Sequence, residues 1–305
     1  MSGPRVLITG GGGQLALDLE AQLAPAAEVY APGRAELDIT DDAGVEGVFS
    51  HFGPVLVLNC AAFHNVEVCE RQEDRAFAVN ARAVARLARH CADRSAKLVH
   101  LSTNYVFDGT ASDAYPEDAV PAPRSIYAMS KLAGEYAALA YADDALVVRT
   151  AGLYGLRGSS SKGGNFVVRM LARAQEQGAL KMVADQFLTP TFTADLSSSI
   201  LEAVGAGLIG TLHLTNAGAT SWHGFTEAIM ELAGVDVPVE AAETTRPAGG
   251  ADRPRNGVLR STVTAGAGMS PLRPWREALA DYLQRAGLLA ADDGFVKTAD
   301  LFTTH

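Results

Sequence analysis

From residue 6 onward, short apolar runs alternate with longer segments whose apolar side chains follow helical spacing. The runs at 6–9, 28–31, 55–59, 97–102 and 146–150 predict strands. They are rich in Val and Leu and lack clean apolar–polar alternation, so they suit a parallel sheet buried on both faces. Between them, segments 14–23, 42–51, 74–92 and 126–141 predict amphipathic, Ala-rich helices. Repeated strand–helix units imply an α/β fold: a doubly wound parallel sheet, Rossmann-like, with its ligand crevice beyond the carboxyl ends of the strands. Thr9, Asn59, Ser102 and Thr150 lie at such ends and are expected to face one crevice.

After Thr150 the texture changes. A Gly/Ser-rich stretch at 155–164 leads to a helix near 165–176, a short strand at 181–184, a helix at 194–206 and a strand at 211–215. Pro238, Pro254, Pro271 and Pro274 punctuate the remainder, and 290–305 reads as a weakly determined end. Residues 1–150 with about 181–215 are expected to form the dinucleotide-binding domain. Residues about 151–180 with 216–305 are expected to form a second, smaller substrate-binding lobe.

Composition narrows the class. The chain has 305 residues, 48% of them hydrophobic, enough for large cores in two lobes. Its net charge of −10 argues against a nucleic-acid partner held by phosphate attraction, so an anionic substrate needs local Arg or Lys. Cys60, Cys69 and Cys91 are odd in number and without metal spacing, which fits a reducing compartment and predicts no metal site. The longest nearly apolar run, around 55–63, falls short of the roughly 20 residues of a membrane helix, and no signal peptide is visible. A cytoplasmic protein without membrane contact is expected.

The segment Thr9-Gly10-Gly11-Gly12-Gly13-Gln14-Leu15-Ala16 follows a strand and opens a helix. In that context Gly10 suits the tight turn, and Gly13 admits a pyrophosphate to the helix N-terminus. The second strand exits through Ala31-Pro32-Gly33-Arg34, with no carboxylate before Glu36. An acidic residue there would mark NAD; Arg34 suits the 2′-phosphate of NADP, or is simply an exposed arginine. NADP(H) is therefore expected in preference to NAD(H).

Tyr127 and Lys131 are four residues apart and share one helical face. An ammonium beside a phenol favours the phenolate, which is expected to lower the Tyr127 pKa toward neutrality. Tyr127 then serves as a proton donor to a carbonyl oxygen, with Thr103 at the preceding strand end bonding the same oxygen.

These residues resemble those of the dTDP-4-dehydrorhamnose reductases, extended short-chain dehydrogenase/reductases of the sugar-nucleotide branch. The resemblance lies in Gly10-x-x-Gly13, Glu36-Leu37-Asp38-Ile39-Thr40, Asn59-x-Ala61-Ala62, Ser102-Thr103-x-Tyr105-Val106-Phe107-x-Gly109 and Tyr127-x-x-x-Lys131-x-x-Gly134-Glu135, with further matches to Arg253-Pro254. It implies reduction of the C4 ketone of a nucleotide-linked 6-deoxyhexose by NAD(P)H in deoxysugar biosynthesis. Thr103, Tyr127 and Lys131 would be catalytic. Gly10, Gly13, Gln14, Leu15, Arg34, Asp38, Ile39, Ala61, Ala62 and Asn80 would join Tyr127 and Lys131 around the cofactor. Thr103, Asn104, Tyr105, His64, Asn165 and Arg253 would face the nucleotide-sugar substrate. A homodimer is also an expectation, although no motif here carries over the metal that bridges some family dimers.

Several positions depart from the family pattern on the substrate side. Asn104 stands at a usual Asp, Ala151-Gly152 leaves bare the surface that a Trp soon after Arg-Thr usually covers, His64 replaces a usual Thr or similar small polar residue, Leu188 a usual Gly, and Gly257 and Arg260 a usual Ser and Asp. Asn104 also reads as a strand-end cap, His64 as a loop residue, Trp222 as a helix-start core residue, and Arg253 and Arg255 as surface charges. The regulatory β subunit of methionine adenosyltransferase is similar too, so a dinucleotide-binding partner protein is one alternative. A UDP- or GDP-linked ketosugar as substrate is another.

Overall fold

Leu7, Val57 and Leu98, all fully buried, stand in register across three neighbouring strands, and this apolar row anchors the main sheet. In the computed structural model of the protein the described residues are 3–157, 164–245 and 249–290. The first half runs β1 (Arg5–Thr9), α1 (Gln14–Leu23), β2 (Glu28–Tyr30), α2 (Asp42–His51), β3 (Leu56–Asn59), α3 (Val66–Arg71), α4 (Glu73–Phe77), α5 (Ala83–Asp93), β4 (Lys97–Thr103), α6 (Ile126–Tyr141) and β5 (Ala145–Thr150). Then follow β6 (Leu153–Tyr154), α7 (Phe166–Gln177), β7 (Leu180–Val183), β8 (Phe187–Leu188), β9 (Thr191–Phe192), α8 (Thr193–Gly205), β10 (Gly210–His213), β11 (Thr220–Ser221), α9 (Trp222–Leu232), β12 (Val239–Ala242) and α10 (Trp275–Arg285).

Six parallel strands form the main sheet in the order β10-β5-β4-β3-β1-β2. One face packs against α2, α5 and α6 through Val45, Phe49, Leu87 and Ala138; the other packs against α1 and α8 through Leu15, Leu19, Leu196 and Ile200. The doubly wound α/β expectation thus holds. The chain passes from β2 on one side of β1 to β3 on the other, so the strand order reverses at β1 and opens the crevice there.

The single helix expected over 74–92 is instead α4, a π-helical turn at Ala78–Arg82 and α5. The turn displays Asn80, whose amide oxygen accepts from Phe63 N at 2.8 Å and whose nitrogen donates to Phe63 O and to Ser130 Oγ. These bonds tie the loop after β3 to α6, and the apolar period alone does not encode them.

A second core gathers Tyr154, Phe192, Phe225 and Tyr282 with the inner faces of α7, α9 and α10. The strand expected at 181–184 appears as β7 but pairs with β12, outside the main sheet. Of the stretch about 181–215 assigned to the first domain, β10 joins the sheet and α8 packs on it, whereas Phe192 belongs to the second core and Met182 packs against it. Most of the Gly/Ser-rich stretch and nearly all of the weak end at 290–305 lie outside the described residues.

Helix α6 meets β4 through polar groups as well as apolar ones. Glu135, 1% exposed, accepts from Ser102 Oγ on β4 and pairs with Arg149 Nη2 of β5 at 2.7 Å. Removing one partner of a buried ion pair strands the other's charge, at a cost of about 3–5 kcal/mol. Glu135→Gln is therefore expected to lower unfolding free energy by about that amount, measured by urea denaturation followed by far-UV circular dichroism.

Candidate active site

A cavity of about 430 Å³ lies over the carboxyl ends of β1, β3, β4 and β5. Its floor comes from the glycine loop. Gly10 sits at φ +74°, and a Cβ there would stand 2.8 Å from Ala61 N, so the turn and its contact with the β3 loop both require glycine. Gly13 is the extended residue that precedes α1, and no side chain caps the helix, which leaves its first-turn N–H groups and positive end facing the crevice. Gln14 Oε1 and Thr150 Oγ1 are buried without a hydrogen-bond partner, and both residues line the cavity. An uncapped helix end and two orphaned polar atoms fit a dinucleotide. Among the described residues, no group of three or more His, Cys, Asp or Glu side chains is placed to hold a metal ion.

The opposite wall holds the proton-transfer group. Ser125 Oγ accepts from Ala128 N and caps α6, which puts Tyr127 in the first turn and Lys131 one turn later. Thr103, Tyr127 and Lys131 all line the cavity. Tyr105 packs edge-on against the Tyr127 ring at 5.9 Å between centroids.

The electrostatics correct one expectation. Burial pushes the Tyr127 phenol well above its usual value, with the Thr103 hydroxyl the main opposing influence. Lys131 does not offset this, because its Nζ is turned to the Leu101 carbonyl and to His100 Nε2 at 3.3 Å. Burial also lowers the Lys131 ammonium to about 8, against the attraction of Glu135. The phenol is thus a protonated acid in the ligand-free cleft, ready to donate rather than poised as phenolate. Cys60 is half-buried on the cavity wall; desolvation pushes its thiol up to about 12, so it is no nucleophile.

Of the other expected cofactor residues, Gln14, Leu15, Gly13 and Ala62 line the cavity, and Ala61 backs Gly10. Arg34 and Asp38 form an ion pair at 3.1 Å past the end of β2, outside the cavity lining. The Asp38 carboxyl is held below its usual range by bonds from the Thr40 hydroxyl and N–H, then by Arg34. The Ile39 side chain packs in the core rather than along the cavity. Asn80 is fully buried behind the wall.

Of the residues expected to face the substrate, Thr103, Asn104, Tyr105 and His64 line the cavity, and Arg253 stands beside lining residue Pro254. Arg253 Nη2 pairs with Glu67 at 2.8 Å and bonds the Tyr105 phenol, so its guanidinium already has partners. Asn165, expected to face the substrate, lines the cavity and also holds the fold. It caps α7 through Oδ1, and its Nδ2 donates to Gly155 O and Tyr282 Oη, which fixes the amide at the cavity wall. Trp222 packs on the second core and also lines the cavity. Glu67, His100 and the wall residues Phe166 and Arg169 were not legible as site residues.

Two pairs of departures from the family pattern meet in space. Asn104 Nδ2 donates to Gly257 O at 2.9 Å while its Oδ1 accepts from Thr103 Oγ1, and a Cβ at 257 would lie 2.2 Å from that nitrogen. A Cβ at Gly152 would lie 2.7 Å from Leu188 Cδ1, so Leu188 covers the surface that residue 152 leaves bare.

The sheet, crevice and Thr–Tyr–Lys group are those of the short-chain dehydrogenase/reductase class. The sequence model of the RmlD substrate binding domain matches residues 4–288. A dTDP-4-dehydrorhamnose reductase of Mycobacterium tuberculosis H37Rv is 42% identical over 289 residues, covering 92% of each chain. A dTDP-4-keto-6-deoxy-D-glucose reductase of Streptomyces niveus is 40% identical over 292 residues, covering 95% of this chain and 99% of its own. The crystal structure of dTDP-4-dehydrorhamnose reductase from Bacillus anthracis in complex with NADP superposes with a TM-score of 0.88 at 33% identity, over 93% of this chain and 99% of that one. The chain belongs to the dTDP-4-dehydrorhamnose reductase family, defined by the RmlD substrate binding domain.

Gly257→Ala is expected to displace Asn104 and cost about 1–3 kcal/mol in urea denaturation. In a double-mutant cycle the cost should shrink when residue 104 is Ala; an undiminished cost would show that the two positions are not coupled.

Proposed function

We propose that the protein reduces the C4 ketone of a dTDP-linked 4-keto-6-deoxyhexose, with NADPH preferred to NADH. The observation that carries this reading is the convergence of Thr103, Tyr127 and Lys131 on the wall opposite an uncapped glycine-loop helix, in one cavity. When bound, the dihydronicotinamide supplies the hydride. Gly13, Gln14 and Leu15 would hold the pyrophosphate side, and Ala62 and Lys131 the ribose side. Thr103 would bond the ketone oxygen and orient it toward Tyr127, which gives its phenolic proton to that oxygen as hydride reaches C4. Lys131 would then favour the phenolate left behind until a proton is recovered.

Residues 151–180 with 216–290, joined by 181–192, would form the substrate lobe that closes over the sugar. Asn104, itself bonded to Gly257 O, would hold the Thr103 hydroxyl until its proton turns to the ketone oxygen, and Leu188 supplies an aliphatic wall near residue 152. Such a wall still suits a 6-deoxysugar, whose methyl group offers apolar surface. Arg34 favours NADPH because its guanidinium, 64% exposed and only partly neutralised by Asp38, would meet a 2′-phosphate near the end of β2. The related M. tuberculosis and S. niveus proteins bear the names of reductases of dTDP-linked sugars, which supports the choice of substrate class. The reaction suits a cytoplasmic location, where both coenzyme and nucleotide sugar are soluble.

The test is NADPH oxidation with dTDP-, UDP- and GDP-linked 4-ketosugars. Turnover is expected with the dTDP-linked sugar, and its absence with every nucleotide would refute the reading. Tyr127→Phe should lower kcat by about 10²- to 10⁴-fold while leaving NADPH binding, followed by nucleotide fluorescence, unchanged. Arg34→Ala should weaken NADPH, but not NADH, by on the order of tenfold in KM, measured in the same assay.

A further inference from the structure

Thr9, Asn59 and His100 are register partners across β1, β3 and β4, two residues beyond the apolar row of Leu7, Val57 and Leu98 and on the same face. All three are fully buried. They form one hydrogen-bonded row: Thr9 Oγ1 donates to Asn59 Oδ1 at 2.7 Å, and Asn59 Nδ2 lies 3.0 Å from His100 Nδ1. His100 Nε2 then meets Lys131 Nζ at 3.3 Å. Three polar residues aligned beneath a buried lysine cost desolvation, which only mutual bonding offsets.

We propose that His100, braced by Asn59 and Thr9, is a positioning residue that holds Lys131 at the cofactor edge and sets its proton affinity. The inference rests on the reading of Lys131 as the cofactor-side cation. Lys131 has three donor positions as an ammonium: one goes to the Leu101 carbonyl, one reaches His100 when its Nε2 is unprotonated, and the third is left for the cleft. Imidazole meets Nζ in either state, as acceptor from an ammonium or as donor to an amine, and the Asn59 amide turns to match. With the amide nitrogen toward His100, as in this structure, Nδ1 accepts and Nε2 carries the proton, the arrangement for an amine. With the amide oxygen toward His100, Nδ1 donates and Nε2 accepts from the ammonium.

His100 is itself kept neutral, since burial and then the Lys131 charge hold its pKa well below the ordinary histidine value. The other groups that reach Lys131 are Cys60 from the end of β3 and Glu135 from its own helix, and Arg149 on β5 neutralises the latter. Gly134 makes the approach feasible: a Cβ there would lie 2.1 Å from Asn80 O and 3.2 Å from His100 Nε2.

The chain has five lysines, so the Lys131 ¹³Cε resonance can be assigned with a Lys131→Arg control and titrated without any sugar substrate. Wild-type Lys131 is expected to titrate at about 8. His100→Leu removes the acceptor for the ammonium and should lower that midpoint by about one pH unit or more; His100→Gln, which bonds through its amide, should restore it. Should His100→Leu fail to fold, Thr9→Val breaks the far end with little change of shape and should move the midpoint the same way by less. An unchanged midpoint in whichever of these two variants folds would overturn the proposal. Because the titration needs no turnover, that outcome is separate from the failure of the reductase reading.

Discussion

The contact between α6 and β4 is the constraint on which the site depends. One face of α6 carries Tyr127, Lys131, Gly134 and Glu135, at the spacing that stacks side chains along a helix. Opposite them β4 presents Leu101 O, His100 and Ser102, each bonded to Lys131 or Glu135. Gly134 admits the Asn80 backbone, and the Glu135–Arg149 pair locks the helix to the next strand. The phenol and ammonium therefore hold their places through buried polar bonds that leave little room to slide. Burial has a second effect, because it keeps the phenol protonated and the lysine easily discharged.

That arrangement divides the site into a fixed half and an adaptable half. The fixed half is the sheet end, where strand register aligns Thr9, Asn59 and His100 before any ligand arrives. The adaptable half is the facing wall, where Asn104 with Gly257 and Leu188 with Gly152 pair across long stretches of sequence. A close-packed wall of this kind accepts one altered side chain only when its neighbour gives way.

Much of this was legible in the sequence. Each of the first five predicted strands lies in the main sheet, because buried parallel strands read as continuous apolar runs. The Tyr127–Lys131 spacing and the glycine loop placed two walls of the cavity. What escaped notice depended on partners distant in the chain. His100 reads as one polar interruption in an apolar strand, and only register with Asn59 and Thr9 gives it meaning. The π-helical turn at Asn80 breaks a helix without Gly or Pro to announce it. Asn165 lines the cavity as expected, but its second role as the cap of α7 shows only in the structure. The strand at 181–184 was found in the right place, but the partner that assigns it to the second core lies in β12.

The central claim is geometric: a phenol and an ammonium one helical turn apart stand beside a bound nicotinamide ribose. A crystal structure of the complex with NADPH tests it most directly. The account predicts Tyr127 Oη and Lys131 Nζ within about 3.2 Å of the nicotinamide ribose hydroxyls. A nicotinamide seated elsewhere, with both side chains beyond the reach of one bridging water, would contradict it.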